Sequence, residues 1–320
     1  MRKSIYFLMT SILIVVLSAC GKSAKETYTE AYSELMDASS YESTSTIDLH
    51  LSSDSTNNTP DTQMILDMIN NAEITLDTKV DMEQEISEID FQVAMNQGPI
   101  SFHLELPMQF NMENQRVYIA TETISEAMMM FPVLPLPQDF TFDKEYIELD
   151  VSSEVDTEDQ QQIEQQLREE INGTIRDLTE DAFIENNDTI ELSLEGEDLQ
   201  NIIASILEFS MEQSDEVIPD TDKKEVETIL DAITFQHFNM KATIDGGKIV
   251  KEDISVAMDV EESNEKMEIA VDLSTEYKKI NEPIDFNLKP TSENTMTQLE
   301  LEEQLNEVMI DSMMNPSMGQ

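Results

Sequence analysis

Apolar and polar residues alternate along most of this chain, and a few stretches with helical spacing interrupt the alternation. Ile47, Leu49 and Leu51 interleave with Thr46, Asp48 and His50, as a half-buried strand requires. Ile74, Leu76, Val80 and Met82 share one parity, and Ile89, Phe91, Val93 and Met95 form a second run. Alternation then continues unbroken from Ile100 to Phe110, with Pro107 on the opposite face, and resumes at Val117 and Ile119. Ile147, Leu149 and Val151 predict another strand, as do Ile190, Leu192 and Leu194. In the last third, Phe238, Met240, Ala242 and Ile244 lead to Asp245-Gly246-Gly247, whose glycines supply the positive φ of a tight hairpin. Two more runs follow, Ile254 to Val260 and Met267 to Leu273, and Ile284, Phe286 and Leu288 alternate again after Asn281-Glu282-Pro283. One apolar and one polar face per strand describes an antiparallel sheet that is wet on one side.

Helical spacing appears first between Thr27 and Ala38, where Tyr28, Ala31, Tyr32, Leu35 and Met36 fall on one side. Further helices are predicted over Met64 to Ile69, Asp156 to about Asp181, Leu199 to Met211 and Lys223 to Ile233. A sheet with one apolar face needs cover. The predicted fold class is therefore α+β, a large curved antiparallel sheet with helices covering its apolar face. The expected domain organisation is a signal peptide at 1–19, a polar tether at 20–26, a single half-barrel α+β domain over 27–290, and an acidic helical or disordered tail at 291–320. In that tail Met296, Leu299, Leu305, Val308 and Met309 form an apolar stripe, which fits either a free appendage or a helix docked on the body.

The first segment has its own chemistry. Met1-Arg2-Lys3 is basic, and Ile5 to Leu17 is an uncharged apolar run of 13 residues, too short to span a bilayer that needs about 20. Leu17-Ser18-Ala19-Cys20-Gly21 resembles the lipobox of bacterial lipoproteins. That resemblance implies removal of 1–19, lipid attachment (diacylglycerol, then palmitate-type acyl chains) at Cys20, and anchoring at the extracytoplasmic face of the cell membrane. Cys20 is the only cysteine in 320 residues, so a disulfide role is excluded within the chain.

Composition removes several functions. Asp and Glu total 68 against 18 Lys and Arg, a net charge of −50, so the chain lacks the clustered cations that phosphate backbones require, and nucleic acid is excluded as a partner. The acids are spread along the chain, which fits a solvating surface better than a binding site. Only seven glycines occur, with one adjacent pair, leaving no phosphate-cradling loop. His50, His103 and His237 are isolated, and no His or Cys cluster has zinc spacing. Asp220-Thr221-Asp222 begins like a calcium loop, but lysines follow and the turn glycine is missing. No metal, cofactor or catalytic constellation is expected, and the chain is read as a non-enzyme.

Two short stretches carry a wider resemblance. Tyr28-Thr-Glu-Ala-Tyr-Ser-Glu-Leu-Met-Asp-Ala-Ser-Ser-Tyr41 resembles the opening of exported lipoproteins with the LolA/LppX-type fold, and Tyr277-Lys-Lys-Ile-Asn281-Glu-Pro283-Ile284 resembles the end of a Gram-positive family with that fold. The resemblance spans roughly residues 27–290. It implies a half-barrel whose concave apolar face is closed by helices, and a cavity that takes lipid or another apolar ligand. The candidate ligand-binding residues are Met128, Met129, Met130, Phe131 and Leu134, in an apolar segment broken by Pro132, Pro135 and Pro137. Prolines keep that segment out of a central strand, so it is expected to lie as a plug or a lid over the open side. A solid-cored interaction lipoprotein without ligand is the competing expectation.

Overall fold

The computed structural model describes residues 22–54, 59–97, 100–130, 140–152, 171–196, 198–200, 202–204, 232–262 and 265–314, with 166, 169 and 228. Twelve strands form one open sheet: β1 Ser40–Ser53, β2 Ala72–Asp81, β3 Ile86–Gln97, β4 Ile100–Asn111, β5 Arg116–Ala120, β6 Tyr146–Asp150, β7 Phe183–Asn186, β8 Thr189–Glu195, β9 Ile233–Asp245, β10 Lys248–Glu262, β11 Glu265–Lys278 and β12 Thr295–Thr297. Their order is β12-β6-β5-β4-β3-β2-β1-β11-β10-β9-β8-β7. Every pairing is antiparallel except β12 on β6. Among the described residues the helices α1 Ala24–Met36, α2 Pro60–Asn70, α3 Thr121–Met130 and α4 Gln298–Met314 accompany the sheet, and 171–177 are also helical. The fold is α+β with a large curved sheet, as the alternation predicts.

Register carries the alternation across strands. Leu104, Val93, Ile74, Ile47, Leu273, Ile254, Met240, Leu192 and Phe183 face one another in succession from β4 to β7. Because successive side chains point to opposite faces, all of these lie on one face, and Asp48, Asp77, Asp90, Asp253 and Asp272 lie on the other. Between β9 and β10 the register slips at Ile249/Lys251 and again at Ala257/Met258. Such bulges bend the strand that carries them, and they sit beside the most densely buried part of the sheet.

That part is covered by α1. Ser23 caps it, accepting from the Glu26 backbone while the Glu26 carboxylate accepts from the Ser23 N–H. Tyr28, Ala31 and Leu35 then bury one stripe against Phe183, Ile190, Leu192, Met240, Ala242 and Ile249, with Ala242 and Ile249 at 0% exposure. Helices α2 and α3 fill places where a strand runs out. β2 leaves β1 unpaired on one side beyond Ile47, and the Asn70 side chain of α2 substitutes there, accepting from Leu51 N–H (2.7 Å) and donating to Leu51 C=O (2.9 Å). Similarly β5 pairs only Met108–Asn111 of β4, and α3 packs against both strands.

Three expectations change. Ile284, Phe286 and Leu288 are buried but are not part of the ladder; residues 281–294 run as a strap across the polar face. Glu88 accepts from the N–H groups of Asn287 (3.1 Å) and Leu288 (2.8 Å), Gln109 donates to Leu288 C=O, and Tyr146 Oη accepts from Lys289 N–H. Alternation there reports a segment with one side against protein, not a strand partner. Second, the helix predicted to Asp181 gives way after residue 177, and Phe183–Asn186 is an edge strand, too short for its single buried residue to show a period. Third, Ile233 opens β9 rather than closing a helix. Beyond 290, β12 lies at the sheet edge with Met296 buried beside Ile147, and α4 follows with Gln304 donating to Thr141 C=O.

Candidate functional site: the apolar face and its buried carboxylate

The apolar face has two parts. Under α1, Phe183, Ile190, Leu192, Leu194, Met240, Ala242 and Ile249 of β7 to β10 are almost fully removed from water. From β11 through β1 to β4 they are only half-buried: Ile269, Val271, Leu273, Ile47, Leu49, Leu51, and onward to Ile74, Phe91, Val93 and Leu104. This second part is a broad apolar surface continuous with the core. Partly accessible apolar side chains on one continuous face are the chemistry that an interaction or ligand surface uses.

A polar wedge lies at one margin of this surface. Ser45, Thr275 and Glu252 are neighbours on β1, β11 and β10, on the apolar face and one row from Ile47, Leu273 and Ile254. Ser45 Oγ and Thr275 Oγ1 are hydrogen-bonded at 2.9 Å. Glu252 is 7% exposed. Tyr277 Oη donates to its Oε2 at 3.1 Å, whereas Oε1 has no hydrogen-bond partner among the described residues. Tyr28 stands over it from α1, its hydroxyl 3.4 Å from Met240 Sδ and close enough to the carboxylate to interact with it. Burial pushes the Glu252 carboxyl up, and the Tyr277 and Tyr28 hydroxyls offset this only in part. Burial likewise raises the Tyr28 and Tyr277 phenols, and the adjacent carboxylate adds to the shift. Tyr32 stacks on Tyr28 at 5.8 Å, and Tyr41 meets Tyr277 edge-on at 6.2 Å. The same corner is latched by Asn281, whose Oδ1 accepts from Ser39 N–H (2.8 Å) while its own N–H donates to Ser40 C=O (2.8 Å).

The sequence did not single out Glu252, yet a signal was present. Four of the seven tyrosines, Tyr28, Tyr32, Tyr41 and Tyr277, fall in the two short stretches that carry the family resemblance. The fold brings those stretches together around one carboxylate.

Among the candidate ligand residues, Met128 is half-buried on α3, and Met129 and Met130 complete that helix. Phe131, Leu134 and Cys20 lie outside the described residues, as does most of the predicted helical segments 156–181 and 199–232. His50 and His103 are exposed on the polar face, and His237 is exposed within β9. No group of three or more His, Cys, Asp or Glu among the described residues has metal-binding geometry. The polar face holds recesses lined by mixed charge, one of about 210 Å³ between the strap and β2–β3 where Lys79 and Glu88 are paired at 3.6 Å. No described helix is long and apolar enough to cross a membrane. No protein-family model matches the chain, and no curated protein sequence matches it.

Proposed function

We propose that the mature chain is a non-enzymatic lipoprotein, held at the extracytoplasmic face of the cell membrane by lipid on Cys20, that binds lipid or another apolar ligand. The observation that carries this reading is the half-buried apolar surface of β1–β4 and β11, continuous with the core under α1. In this reading the concave side is closed by helices at both ends. α1 stands at one end, and Met128, Met129, Met130, Phe131 and Leu134 are the candidate ligand-binding residues. Methionine suits that task because its unbranched thioether adapts to ligands of differing shape. The partners are then a membrane, through Cys20, and an apolar molecule.

The test is to purify the protein from its own membrane, extract it with organic solvent and examine the extract by mass spectrometry. Lipid recovered in near-equimolar amount supports the reading. A lipid-free extract from folded protein favours a solid interaction module instead. Anchoring is separable: labelled palmitate enters the wild type and not Cys20→Ser, and a wild type without label removes the lipoprotein assignment.

A further inference from the structure

The apolar surface ends in a group that an apolar ligand alone leaves unused. Glu252 is a carboxylate on the inner face of the sheet, with Oε2 held by Tyr277, the Tyr28 hydroxyl close by, and Oε1 without a hydrogen-bond partner among the described residues. Among the described residues the groups that act on it are tyrosines, with no Lys, Arg or His as counter-charge. Leaving a buried carboxylate half-satisfied is costly, and such a group in a native structure asks what completes it. Four tyrosine rings gather at this point, and Tyr32, Tyr41 and Tyr277 are half-buried, so this is where the cluster reaches solvent. Electron-rich ring faces around a carboxylate are the chemistry that recognises an organic cation. A net charge of −50 argues against an anionic head group in the same place. Ile254, Leu273 and Ile47 begin one row away and provide the apolar track on which a chain attached to that cation would lie.

We propose that Glu252, with Tyr28, Tyr32, Tyr41 and Tyr277, is the head-group site of the apolar face and takes the ammonium head of an amphipathic ligand. This rests on the ligand-binding reading above and adds the class of head group to it. Tyr28 and Tyr32 belong to α1, and the cation supplies beside their rings the positive charge that Glu252 lacks among the described residues.

The probes are dodecyltrimethylammonium, dodecanol and dodecyl sulfate, each below its micelle-forming concentration, titrated by calorimetry into wild type and Glu252→Gln. So acidic a chain attracts any cation to its surface, but the variant removes one charge of fifty, which leaves that general attraction nearly unchanged. The expected result is that wild type binds the ammonium probe at least tenfold more tightly than dodecanol. Glu252→Gln should lose that margin and keep its affinity for dodecanol. Should Glu252→Gln fail to fold, Tyr32→Ala carries the same test, because loss of a ring face at a half-buried position weakens the ammonium probe selectively. Equal binding of the ammonium probe by wild type and variant overturns the head-group site and leaves apolar binding standing, as does a wild type that prefers dodecanol or dodecyl sulfate. A wild type that binds none of the three overturns the ligand-binding reading itself.

Discussion

Glu252 and Asp253 are consecutive residues of β10, and the two faces of the sheet treat them oppositely. Glu252 points to the apolar face, where burial raises its carboxyl and, among the described residues, tyrosine hydroxyls answer it. Asp253 points to the polar face. Burial pushes it up as well, but hydrogen bonds from Lys251 (2.9 Å) and Ser274 (2.6 Å), with the charges of Lys251 and Lys241, outweigh this and hold it below the ordinary carboxylate range. On the polar face, charge is answered by charge and by backbone: Glu88 caps the strap, and Arg116 meets Glu148 and Asp150. That face is a finished surface, with its strap in place. Among the described residues the other is sealed only under α1 and is half-buried from β11 to β4. The lesson is that net charge describes the wet face of this protein, whereas its function is to be sought on the face where charges are scarce.

The strongest way to break the comparison is to put charge where α1 has sealed the apolar face. Leu192→Asp, at a site 3% exposed, is expected to cost about 4 kcal/mol or more and to leave little folded protein, as urea denaturation would report. A stable variant would mean that this core is looser than its burial implies. Next is the strap. Glu88→Ala removes the acceptor of two backbone N–H groups and the partner of Lys79, and is expected to cost about 2–3 kcal/mol, with faster hydrogen exchange confined to residues near 285–289.

Glu252→Gln should act in the opposite direction and more weakly. A carboxyl raised in the folded state holds its proton more tightly there than in the unfolded chain, so stability falls as pH rises from the ordinary carboxylate value through the raised one. Replacing it with glutamine removes that loss. The melting temperature of the variant should therefore exceed wild type at pH 8 and approach it at pH 4, and the reverse ordering would mean that Glu252 has a cationic partner. Smallest of all, Ile310→Gln changes an apolar residue of α4 that is already exposed, and should stay within about 0.5 kcal/mol of wild type.

Much of the sheet was legible in the sequence because a half-buried strand repeats every two residues, and each long run from Ile47 to Leu273 became a strand with its apolar set on one face. Legibility failed where the pattern had another cause. Ile284, Phe286 and Leu288 alternate because one side of the strap is pressed on protein, and only the coordinates show that Glu88 and Gln109, not a strand, satisfy its backbone. β7 is four residues long, too short for a period to register. The Glu252 cluster was hidden for a different reason: with 68 acidic residues, no single glutamate stands out until a sheet register places it among apolar neighbours. The apolar surface was legible as a set of strand faces, while its division into a sealed and an open part depends on where α1 lies.

That division is the central claim, and one titration addresses it most directly. N-phenyl-1-naphthylamine, a neutral apolar fluorophore, is added to wild type and to Leu49→Asp, a position on the open part where the side chain is only half-buried and the variant is expected to fold. The account expects saturable, one-to-one binding with blue-shifted emission in the wild type and at least tenfold weaker binding in the variant. Absence of saturable binding to the wild type, or equal binding by a folded Leu49→Asp, would contradict it.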